Sequence, residues 1–352
     1  MLNEVLTYIL PSFSRYGVAE NIVPFGNGLI NSTWKIRAGN HDFILQRIND
    51  EVFKEPQIID QNLKLIQQHL HQYYPNYIFA APLPNNLHLT LTFVPNHGYF
   101  RLMPFINGSH TKEELTDPQF AWEAAAQFAS FTAMLSNIDT SSMKESIPFF
   151  HNLPLRFHQF EQALLQAPSN LLLLAQDQIN TLQSLQYIAI NNNRIMLNPA
   201  FKKRPMHHDT KISNVLFNQN NIGICVIDLD TVMPGYFFSD VGDMMRTYLC
   251  SVNEESTEWG LIQIRNEYYA AIVNGYCSQM GIYLSETEKQ HFFDAGCFMI
   301  YMQALRFLTD YLNSDIYYGA AYPLHNLNRA KHHTILLQQL LKKEKILKNS
   351  LY

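Results

Sequence analysis

The residues most able to do chemistry lie in one short stretch of the chain, residues 207–230. Asp209 is followed by Lys211 two residues on, by Asn214 five residues on, and by Asp228 fourteen residues after that asparagine. Phosphoryl transfer from Mg·ATP requires such a set. One carboxylate accepts the proton of the attacking hydroxyl, a cation lies near the transferred phosphate, and an amide oxygen and a second carboxylate hold magnesium. The stretch is therefore a candidate active site for this chemistry.

The chain around these residues predicts how they are held. Residues 215–217 and 222–227 are short apolar runs typical of strands, and residues 218–221 are turn formers. A hairpin of this kind places Asn214 at its entrance and Asp228 at its exit, so we expect the two side chains to lie close together. Asp and Asn beside strands also occur simply as turn formers, but the hairpin and the spacing together favour a functional site.

Each residue of the stretch has an expected role. Asp209 is the catalytic base, which in a loose transition state mainly orients the hydroxyl and takes its proton late. Lys211 reaches the transferred phosphate as a point charge. Asn214 and Asp228 supply oxygen ligands to magnesium, which keeps some of its water and needs few from the protein. Asp230 is assigned to the metal as well, with a substrate contact and a helix N-cap as equal alternatives.

Composition excludes several classes of protein. The chain has 352 residues, 47% of them hydrophobic, which is enough for two lobes with a large core. Its net charge of −5 argues against a nucleic-acid surface. Four cysteines without CxxC spacing predict reduced thiols in a cytoplasmic protein. The apolar run at residues 6–10 is too short for a membrane span and lacks the basic residues of a signal peptide. We expect a small-molecule partner, no nucleic acid, no membrane, and a monomer or homodimer.

The order of predicted elements divides the chain in two. A helix is expected first, up to about residues 16–17. Strands follow around a second helix; these elements are residues 21–25, 32–37, 42–47, 56–72 (the helix), 77–79, 88–94 and 99–103. Residues 104–108 break the pattern. Helices follow, apart from the hairpin, at residues 112–137, 155–167, 177–191, 239–251, 258–279, 286–312 and 323–347. We therefore predict an α+β fold with a small antiparallel sheet lobe at residues 1–105 and a larger, mainly helical lobe at residues 106–352.

The segment from His207 to Asp228 resembles the catalytic segment of the protein-kinase-like phosphotransferases, in particular the aminoglycoside phosphotransferase and choline kinase superfamily. The resemblance implies a protein-kinase-like bilobal fold with ATP and Mg²⁺ as cofactors. It implies nucleotide contacts from glycines in the first strand turn, from the third strand and from the interlobe hinge; the matching residues are Gly26, Gly28, Gln46, Arg47, Pro104 and Ile106. It also implies that Asp240, which is a possible N-cap, braces the catalytic loop.

The third strand departs from the family pattern. The phosphate-binding lysine expected there is missing, and Gln46 or Arg47 stands at or beside its place. Because side chains alternate along a strand, only one of the two faces the cleft. The helix that follows offers only Asp60 as an acidic partner. The usual ion pair between strand and helix is therefore in doubt, whereas the catalytic segment is unaffected.

Several segments narrow the resemblance to the bacterial N-acetylhexosamine 1-kinases, which phosphorylate the anomeric hydroxyl of GlcNAc or GalNAc; these segments are residues 28–34, 45–49, 101–106, 208–211, 227–235 and 305–312. Leu29 departs from a histidine that this subfamily tends to carry. The resemblance, and for some residues their nearness in sequence to the proposed metal ligands Asp228 and Asp230, assign substrate contacts to five residues: Asn31, Asp243, Arg246, Arg306 and Tyr317.

Alternatives remain for the substrate and for single residues. A sugar needs directional hydrogen bonds and an apolar face, and the C-terminal region supplies aromatic residues and few acids. Asp243 and Arg246 also fit a surface ion pair, and Arg306 also fits a pair with Asp310 four residues on. A choline, ethanolamine or homoserine kinase is the alternative enzyme, and a non-catalytic nucleotide-binding pseudokinase is the alternative outside catalysis.

Overall fold

A computed structural model of the chain describes residues 5–26, 28 and 30–350. These residues form two compact units. The first contains the described residues up to His110 together with Asn137–Pro148 and Leu216–Pro234. The second contains Thr111–Ser136, Phe149–Val215 and the described residues from Gly235 onward. The chain therefore returns twice to the first unit after leaving it.

The first unit is built on a five-stranded antiparallel sheet. Its strands are β1 (Ala19–Pro24), β2 (Ser32–Ala38), β3 (His41–Ile48), β4 (Thr92–Val94) and β5 (Gly98–Pro104), in the spatial order β1-β2-β3-β5-β4. A short helical stretch, Val5–Ile9 and Leu10–Tyr16, precedes it, and helix α1 (Pro56–Tyr73) lies between β3 and β4. Later in this unit come the turn Thr140–Ser142, strand β8 (Gly223–Val226) and the 3₁₀ turn Leu229–Thr231.

Alternating side chains make the core of this sheet. Trp34 is paired with Leu45 across β2 and β3, and Leu45 is paired with Leu102 across β3 and β5. All three are buried, together with Ile9 and other residues of one apolar cluster. Residues opposite each other in an antiparallel pair share a face of the sheet, so this apolar set defines the core face. The intervening residues of β3 and β5 point to the other face, which matters for the site.

The second unit is mainly helical. Its helices are α2 (Pro118–Met134), α3 (Leu153–Gln166), α4 (Ser169–Leu174), α5 (Gln176–Ser184), α6 (Tyr187–Met196), α7 (Phe237–Tyr248), α8 (Asn266–Met280), α9 (Glu286–Lys289), α10 (Phe292–Leu312), α11 (His325–Lys342) and α12 (Glu344–Asn349). Short pieces at β6 (Arg204–Met206), Ile212–Asn214 and Trp259–Leu261 complete it, and strands β7 (Val215–Phe217) and β9 (Met233–Gly235) lie where the two units join in sequence.

Helix α10 is the centre of the second unit. It is buried along nearly its whole length and packs on α3, α7 and α11. The contact with α7 requires Gly242, because a Cβ at this position would lie 2.5 Å from the carbonyl oxygen of Ala295. A residue without a side chain thus lets the two helix backbones approach closely. Helix α7 carries residues of the candidate site, so this contact fixes its position.

The predicted fold class is confirmed: an N-terminal antiparallel sheet precedes a mainly helical remainder. Residues 77–79 form no strand, and the strand expected at 88–94 is limited to β4. The helix expected at 112–137 begins only at Pro118, because Asp117 caps it through a bond to the N–H of Gln119. The structure divides the expected helix at 177–191 into α5 and α6, and that at 286–312 into α9 and α10.

The division expected at residue 105 differs from the compact units. The first unit extends to His110, whose backbone exchanges two hydrogen bonds with Phe217, of 2.9 and 2.8 Å. This pairing joins the β7–β8 hairpin to the end of the sheet unit, which a reading of local patterns along the chain does not reveal. Among the described helices, none has the length and apolar composition needed to cross a bilayer.

Candidate active site

The catalytic loop of the second unit brings three of the predicted residues together. The Lys211 ammonium lies 3.1 Å from Oδ1 and 3.3 Å from Oδ2 of Asp209. Asn214, at the end of the 3₁₀ turn Ile212–Asn214, donates from Nδ2 to the Asp209 carbonyl at 2.9 Å and to its carboxylate at 3.2 Å. The amide nitrogen of Asn214 is thereby fixed, and its Oδ1 is left as an acceptor. The three residues expected to supply the base, the cation and the amide oxygen are thus grouped as the spacing predicted.

The charge of Asp209 is set by opposing effects. Burial raises the pKa of this carboxyl, but the Lys211 ammonium, the His207 ring and Arg246 outweigh burial and hold the pKa below its usual range. Asp209 in turn raises the pKa of Lys211. At neutral pH the pair is therefore a carboxylate beside an ammonium. A carboxylate of this kind is a weak base that accepts a proton only as the hydroxyl oxygen bonds to phosphorus.

The first turn of α7 holds the backbone of the catalytic loop. Asp240 accepts the N–H of His208 at 2.7 Å and the N–H of His207 at 3.1 Å. Burial raises the pKa of Asp240 to about 7, although those two N–H donors lower it. Helix α7 begins at Phe237, so Asp240 lies inside the first turn and does not cap it. Its bonds are directed to the loop, which agrees with a bracing role.

Asp243 is buried and Arg246 is partly buried beside this loop. Asp243 accepts the N–H of Thr210 at 2.8 Å and the Arg246 guanidinium at 2.8 and 2.9 Å. Arg246 also binds Glu254 at 2.9 Å. The Thr210 carbonyl accepts the hydroxyl of Tyr248 at 2.5 Å. The ion pair considered from the sequence therefore forms, within a partly buried network that also contacts the loop. The substrate contacts expected of Asp243 and Arg246 stay predictions.

Asp228 lies in the first unit, directly after strand β8. The β7–β8 hairpin forms as predicted, with bounds within a residue of those expected. The Asp228 backbone is left-handed, with φ 59° and ψ 59°, and the residue is exposed. A left-handed conformation is costly for a residue with a Cβ and is often found at functional positions. The carboxylate is therefore presented at the surface of this unit by a specific backbone geometry.

Asp230 is buried, unlike Asp228. Its Oδ1 lies 2.5 Å from Nη2 of Arg101, and its Oδ2 accepts the amide of Asn31 at 2.6 Å. Its carbonyl accepts the hydroxyl of Ser146 at 2.6 Å. Both carboxylate oxygens are thus engaged by protein groups. The N-cap alternative for Asp230 is wrong, because the N-cap position of this turn is Asp228. The metal and substrate roles stay predictions.

Helix α1 supports the same segment through an asparagine. Asn62 is buried and donates to the carbonyl of Val232 at 3.1 Å and to that of Lys144 at 2.8 Å, while it accepts the N–H of Lys144 at 3.2 Å. The acid expected to matter on this helix, Asp60, instead pairs with Lys64 at 2.7 Å and with the hydroxyl of Thr90. The sequence did not lead us to Asn62. The feature that could have identified it is an amide side chain within the apolar stripe of an amphipathic helix.

The third strand places Gln46 and Arg47 on opposite faces of the sheet. Gln46 is opposite Arg101 on β5 and accepts its Nη2 at 2.7 Å and its Nε at 3.1 Å. Gln46 also donates to the hydroxyl of Thr33 at 3.2 Å. Arg47 points to the other face, near Gly98. Gln46 therefore shares a face with Arg101 and Asp230. Arg101, a charged residue inside a predicted strand, was not assigned a role from sequence.

The expected nucleotide contacts in the first turn and the hinge lie in open surroundings. Gly26 has φ 78°, and no atom lies within 4 Å of where a Cβ would be at Gly26 or Gly28. Leu29, which departs from the sugar-kinase pattern, lies outside the described residues. Pro104 ends β5, and the carbonyl of Ile106 accepts the Ser109 hydroxyl at 2.6 Å. These contacts stay predictions.

Arg306 lies among aromatic rings in the second unit. Its guanidinium carbon is 5.6 Å from the ring centre of Phe150, 5.9 Å from that of Tyr317 and 5.4 Å from that of Tyr318. Its hydrogen bond goes to Gln303 at 3.2 Å. The pair with Asp310 considered above does not form, because Asp310 accepts the N–H groups of Tyr317 and Tyr318.

A chain of rings connects this cluster to the catalytic loop within the second unit. His151 stacks on Phe150 with ring centres 4.3 Å apart, and its Nδ1 lies 3.3 Å from Nδ1 of His208, the residue before the base. Burial, with His208 and Arg306 nearby, holds the pKa of His151 well below its usual range, so His151 is neutral. Phe150 and His151 were missed because they lie in a segment without helical or strand periodicity.

The two metal ligands expected from the sequence, taken one by one, are donors of a kind that suits magnesium. Asn214 offers an amide oxygen, and Asp228 offers an exposed carboxylate. These are hard oxygen ligands, which Mg²⁺ prefers over nitrogen or sulfur, and the ion usually keeps several water ligands in nucleotide sites. The residues present therefore fit the metal that the fold implies.

Comparison with known proteins establishes the class. Residues 21–281 match the model of the phosphotransferase enzyme family, and the chain belongs to this family. The fold and the Asp209 loop agree with that assignment. The solved structures described next share at most 15% of their residues with this chain, so they bear on the fold alone.

Three solved structures illustrate the similarity. An aminoglycoside phosphotransferase from Alicyclobacillus acidocaldarius has a TM-score of 0.64 at 13% identity, with 97% of this chain and 95% of that chain covered. The amicoumacin kinase hAmiN, solved with AMP-PNP and Ca²⁺, has a TM-score of 0.64 at 12% identity, with 96% and 92% covered. Choline kinase from Cryptosporidium parvum has a TM-score of 0.56 at 15% identity, with 96% and 93% covered.

Proposed function

We propose that this phosphotransferase is an ATP- and Mg²⁺-dependent kinase of an uncharged amino sugar, in which the acceptor is the anomeric hydroxyl of an N-acetylhexosamine. The observation that carries the proposal is the Arg306 cluster. Its guanidinium lies among the rings of Phe150, Tyr317 and Tyr318, and the rings of Phe150 and His151 connect it to His208 beside the base. Aromatic faces pack against sugar rings, and a guanidinium donates to hydroxyl and acetyl oxygens.

The charge of the cluster argues against cationic acceptors. Arg156 is near enough to Arg306 for the repulsion, together with burial, to lower the pKa of Arg156. A quaternary ammonium is bound by aromatic rings whose faces are free of competing cations. Two guanidinium groups repel choline or an aminoglycoside. A neutral sugar carries no such penalty.

Each catalytic residue has a role in the proposed reaction. Asp209 accepts the hydrogen bond of the attacking hydroxyl and then its proton, as a new O–P bond forms and the bond from the γ-phosphorus to the bridging oxygen breaks, releasing ADP. Lys211, beside Asp209, neutralises charge on the transferred group. Asn214 and Asp228 hold Mg²⁺, which when bound offsets the negative charge of the phosphates. Gly26 and Gly28 let backbone N–H groups approach the phosphates.

The remaining expected substrate residues are divided by their contacts. Arg306 and Tyr317 contact the sugar, since Tyr317 is 68% exposed and Arg306 faces the same rings. Asp243 and Arg246 position the catalytic loop through Thr210. Asn31 donates a hydrogen bond to Asp230 and contributes to the proposed site through that carboxylate. The four cysteines are free, in keeping with action in the cytoplasm.

A panel of acceptors with ATP and Mg²⁺ tests the proposal. GlcNAc and GalNAc should be phosphorylated, and the product should resist reducing-sugar reagents because its anomeric oxygen is blocked. Glucosamine, choline, ethanolamine and homoserine should react at least tenfold more slowly. The variant Arg306→Met should raise KM for the sugar at least tenfold with KM for ATP within twofold. If choline or homoserine reacts faster than the sugars, that compound replaces the sugar as the proposed substrate. If nucleotide binds but phosphate is transferred to no acceptor, the protein is a pseudokinase.

A further inference from the structure

The first unit has a buried cation that the expected site residues do not include. Arg101 on β5 is 3% exposed and lies on the face of the sheet that carries Gln46. Strand β3 has no lysine, and Gln46 accepts two hydrogen bonds from the Arg101 guanidinium at 2.7 and 3.1 Å. The positive charge on this face of the sheet thus comes from the neighbouring strand, and a glutamine links it to β3.

Burial of a guanidinium is costly unless it is paired and hydrogen-bonded. Arg101 is paired with Asp230, with Nη2 2.5 Å from Oδ1. Asp230 is 2% exposed and lies in the 3₁₀ turn that begins just after Asp228. The pair therefore ties the sheet to the turn that follows the exposed carboxylate.

The same carboxylate reaches the turn between β1 and β2. Asn31 donates to Oδ2 of Asp230 at 2.6 Å and accepts the N–H of Asn49 at 3.0 Å. Gln46 extends the network to Thr33 on β2 at 3.2 Å. A continuous series of hydrogen bonds and one ion pair thus runs from Asn31, through Asp230 and Arg101, to β3. All of its members belong to the first unit.

We propose that Arg101 is a positioning residue for Mg·nucleotide binding. It holds Asp230 so that the left-handed Asp228, two residues earlier, presents its carboxylate in one orientation, and through Asp230 it is linked to Asn31, directly before β2. The inference rests on the proposed function, in which Asp228 binds Mg²⁺. Arg101 thus takes over part of what a lysine on the third strand does in related kinases, but it acts through a carboxylate.

The experiment measures binding of AMP-PNP by calorimetry at a series of Mg²⁺ concentrations, with Arg101→Met, Arg101→Lys, Asp230→Asn and the double variant. We expect Arg101→Met to raise the half-saturating Mg²⁺ at least tenfold, while binding without Mg²⁺ and KM for the acceptor change less than twofold. The half-saturating Mg²⁺ concentration of Arg101→Lys should lie between those of wild type and Arg101→Met, because an ammonium reaches fewer of the oxygens of Gln46 and Asp230. Arg37→Met is the control, since the exposed Arg37 side chain pairs with Asp42 on the same sheet.

The double variant separates positioning from direct contact with phosphate. If Arg101 acts through Asp230, the double variant has the Mg²⁺ requirement of either single variant. Additive effects, or weaker AMP-PNP binding without Mg²⁺ in Arg101→Met alone, would overturn the proposal in favour of a direct phosphate contact. If Arg101→Met does not fold, Asp230→Asn and Asn31→Ala carry the same expectation, and an Mg²⁺ requirement within twofold of wild type in both refutes it.

The outcome for wild-type protein separates this inference from the proposed function. A wild-type chain that binds no Mg·nucleotide refutes the function itself. A wild-type chain that binds Mg·nucleotide and transfers phosphate, with an Arg101→Met variant indistinguishable from it, refutes only the positioning role.

Discussion

Asp209 acts with a charge that its neighbours fix. The lowered pKa, caused by Lys211, His207 and Arg246 against the effect of burial, makes it a carboxylate under all ordinary assay conditions. It is therefore suited to align a hydroxyl and less suited to remove a proton early. A loose transition state requires alignment first, so this weak basicity is compatible with the proposed role.

The first prediction removes that negative charge. Asp209→Asn keeps the size of the side chain but cannot accept a proton, so kcat should fall at least a thousandfold, or about 4 kcal/mol in the activation barrier. ATP affinity should stay within threefold, measured by calorimetry, because the base is assigned to the acceptor hydroxyl. Retention of more than a few per cent of the wild-type rate would show that another group is the base. Asp177→Asn on the exposed face of α5 is the control.

The second prediction concerns the exposed carboxylate. Asp228→Ala should weaken Mg²⁺-dependent nucleotide binding at least tenfold, because it removes a charged oxygen ligand. Calorimetric titrations with and without Mg²⁺ measure the effect, and binding in the absence of Mg²⁺ should not weaken. If the metal dependence stays as in wild type, the ligand role passes to Asp230. That result would also remove the basis for the positioning role of Arg101.

At the scale of elements, helix α7 joins the catalytic loop to the helical core. Its first turn accepts loop N–H groups through Asp240 and Asp243, and its opposite side meets α10 at Gly242. A displacement of α7 therefore moves both carboxylates together. The catalytic loop, which has little regular structure of its own, depends on this helix for its geometry.

The third prediction tests that dependence. Gly242→Val should destabilise the protein by about 2–4 kcal/mol, because a side chain placed at the contact with the Ala295 carbonyl forces the helices apart. Urea unfolding measures the loss, and kcat of the folded fraction should fall more than KM for ATP changes. Gly260→Val is the matched control, since no atom lies within 4 Å of a Cβ there. Equal stability of the two variants would contradict the packing argument.

Local patterns predicted the hairpin, the class of fold and the grouping of Asp209 with Lys211 and Asn214, because those contacts join residues close in sequence. The network of Arg101 could not be predicted in this way. Gln46 and Arg101 are separated by 55 positions, and Asn31 and Asp230 by 199. Strand alternation left Gln46 and Arg47 equivalent until the register with β5 was known. Likewise, Asp310 stood four residues from Arg306, yet the backbone of Tyr317 and Tyr318 satisfies it.

At the scale of the whole molecule, partly buried charged groups connect distant parts of the second unit. Glu254 binds Arg246 on α7 and Arg329 on α11, and His333 lies 3.6 Å away. Burial raises the pKa of Glu254, but these cations outweigh it and lower the pKa to about 2. Burial lowers the pKa of His333 to about 3 and that of His332 to about 4, in both cases against the attraction of Glu254. The folded state is therefore more stable with this carboxylate ionised and both imidazoles neutral.

The fourth prediction follows from the signs of these shifts. Both histidines have lower pKa values in the folded than in the unfolded state. Their contribution to the free energy of unfolding is therefore complete above about pH 6.5 and is lost as pH falls towards 4 and 3. Protonation of Glu254 lowers the free energy of unfolding further below about pH 4.5. The free energy of unfolding should therefore fall by about 2–4 kcal/mol between pH 7 and pH 5. Urea titrations measure it. His332→Leu should reduce the slope of the unfolding free energy against pH by about one proton, because Nδ1 of His332 is buried without a hydrogen bond. The control His71→Leu, at an exposed histidine, should leave this slope unchanged. A stability independent of pH across this range would show that the two imidazoles become protonated without loss of the fold.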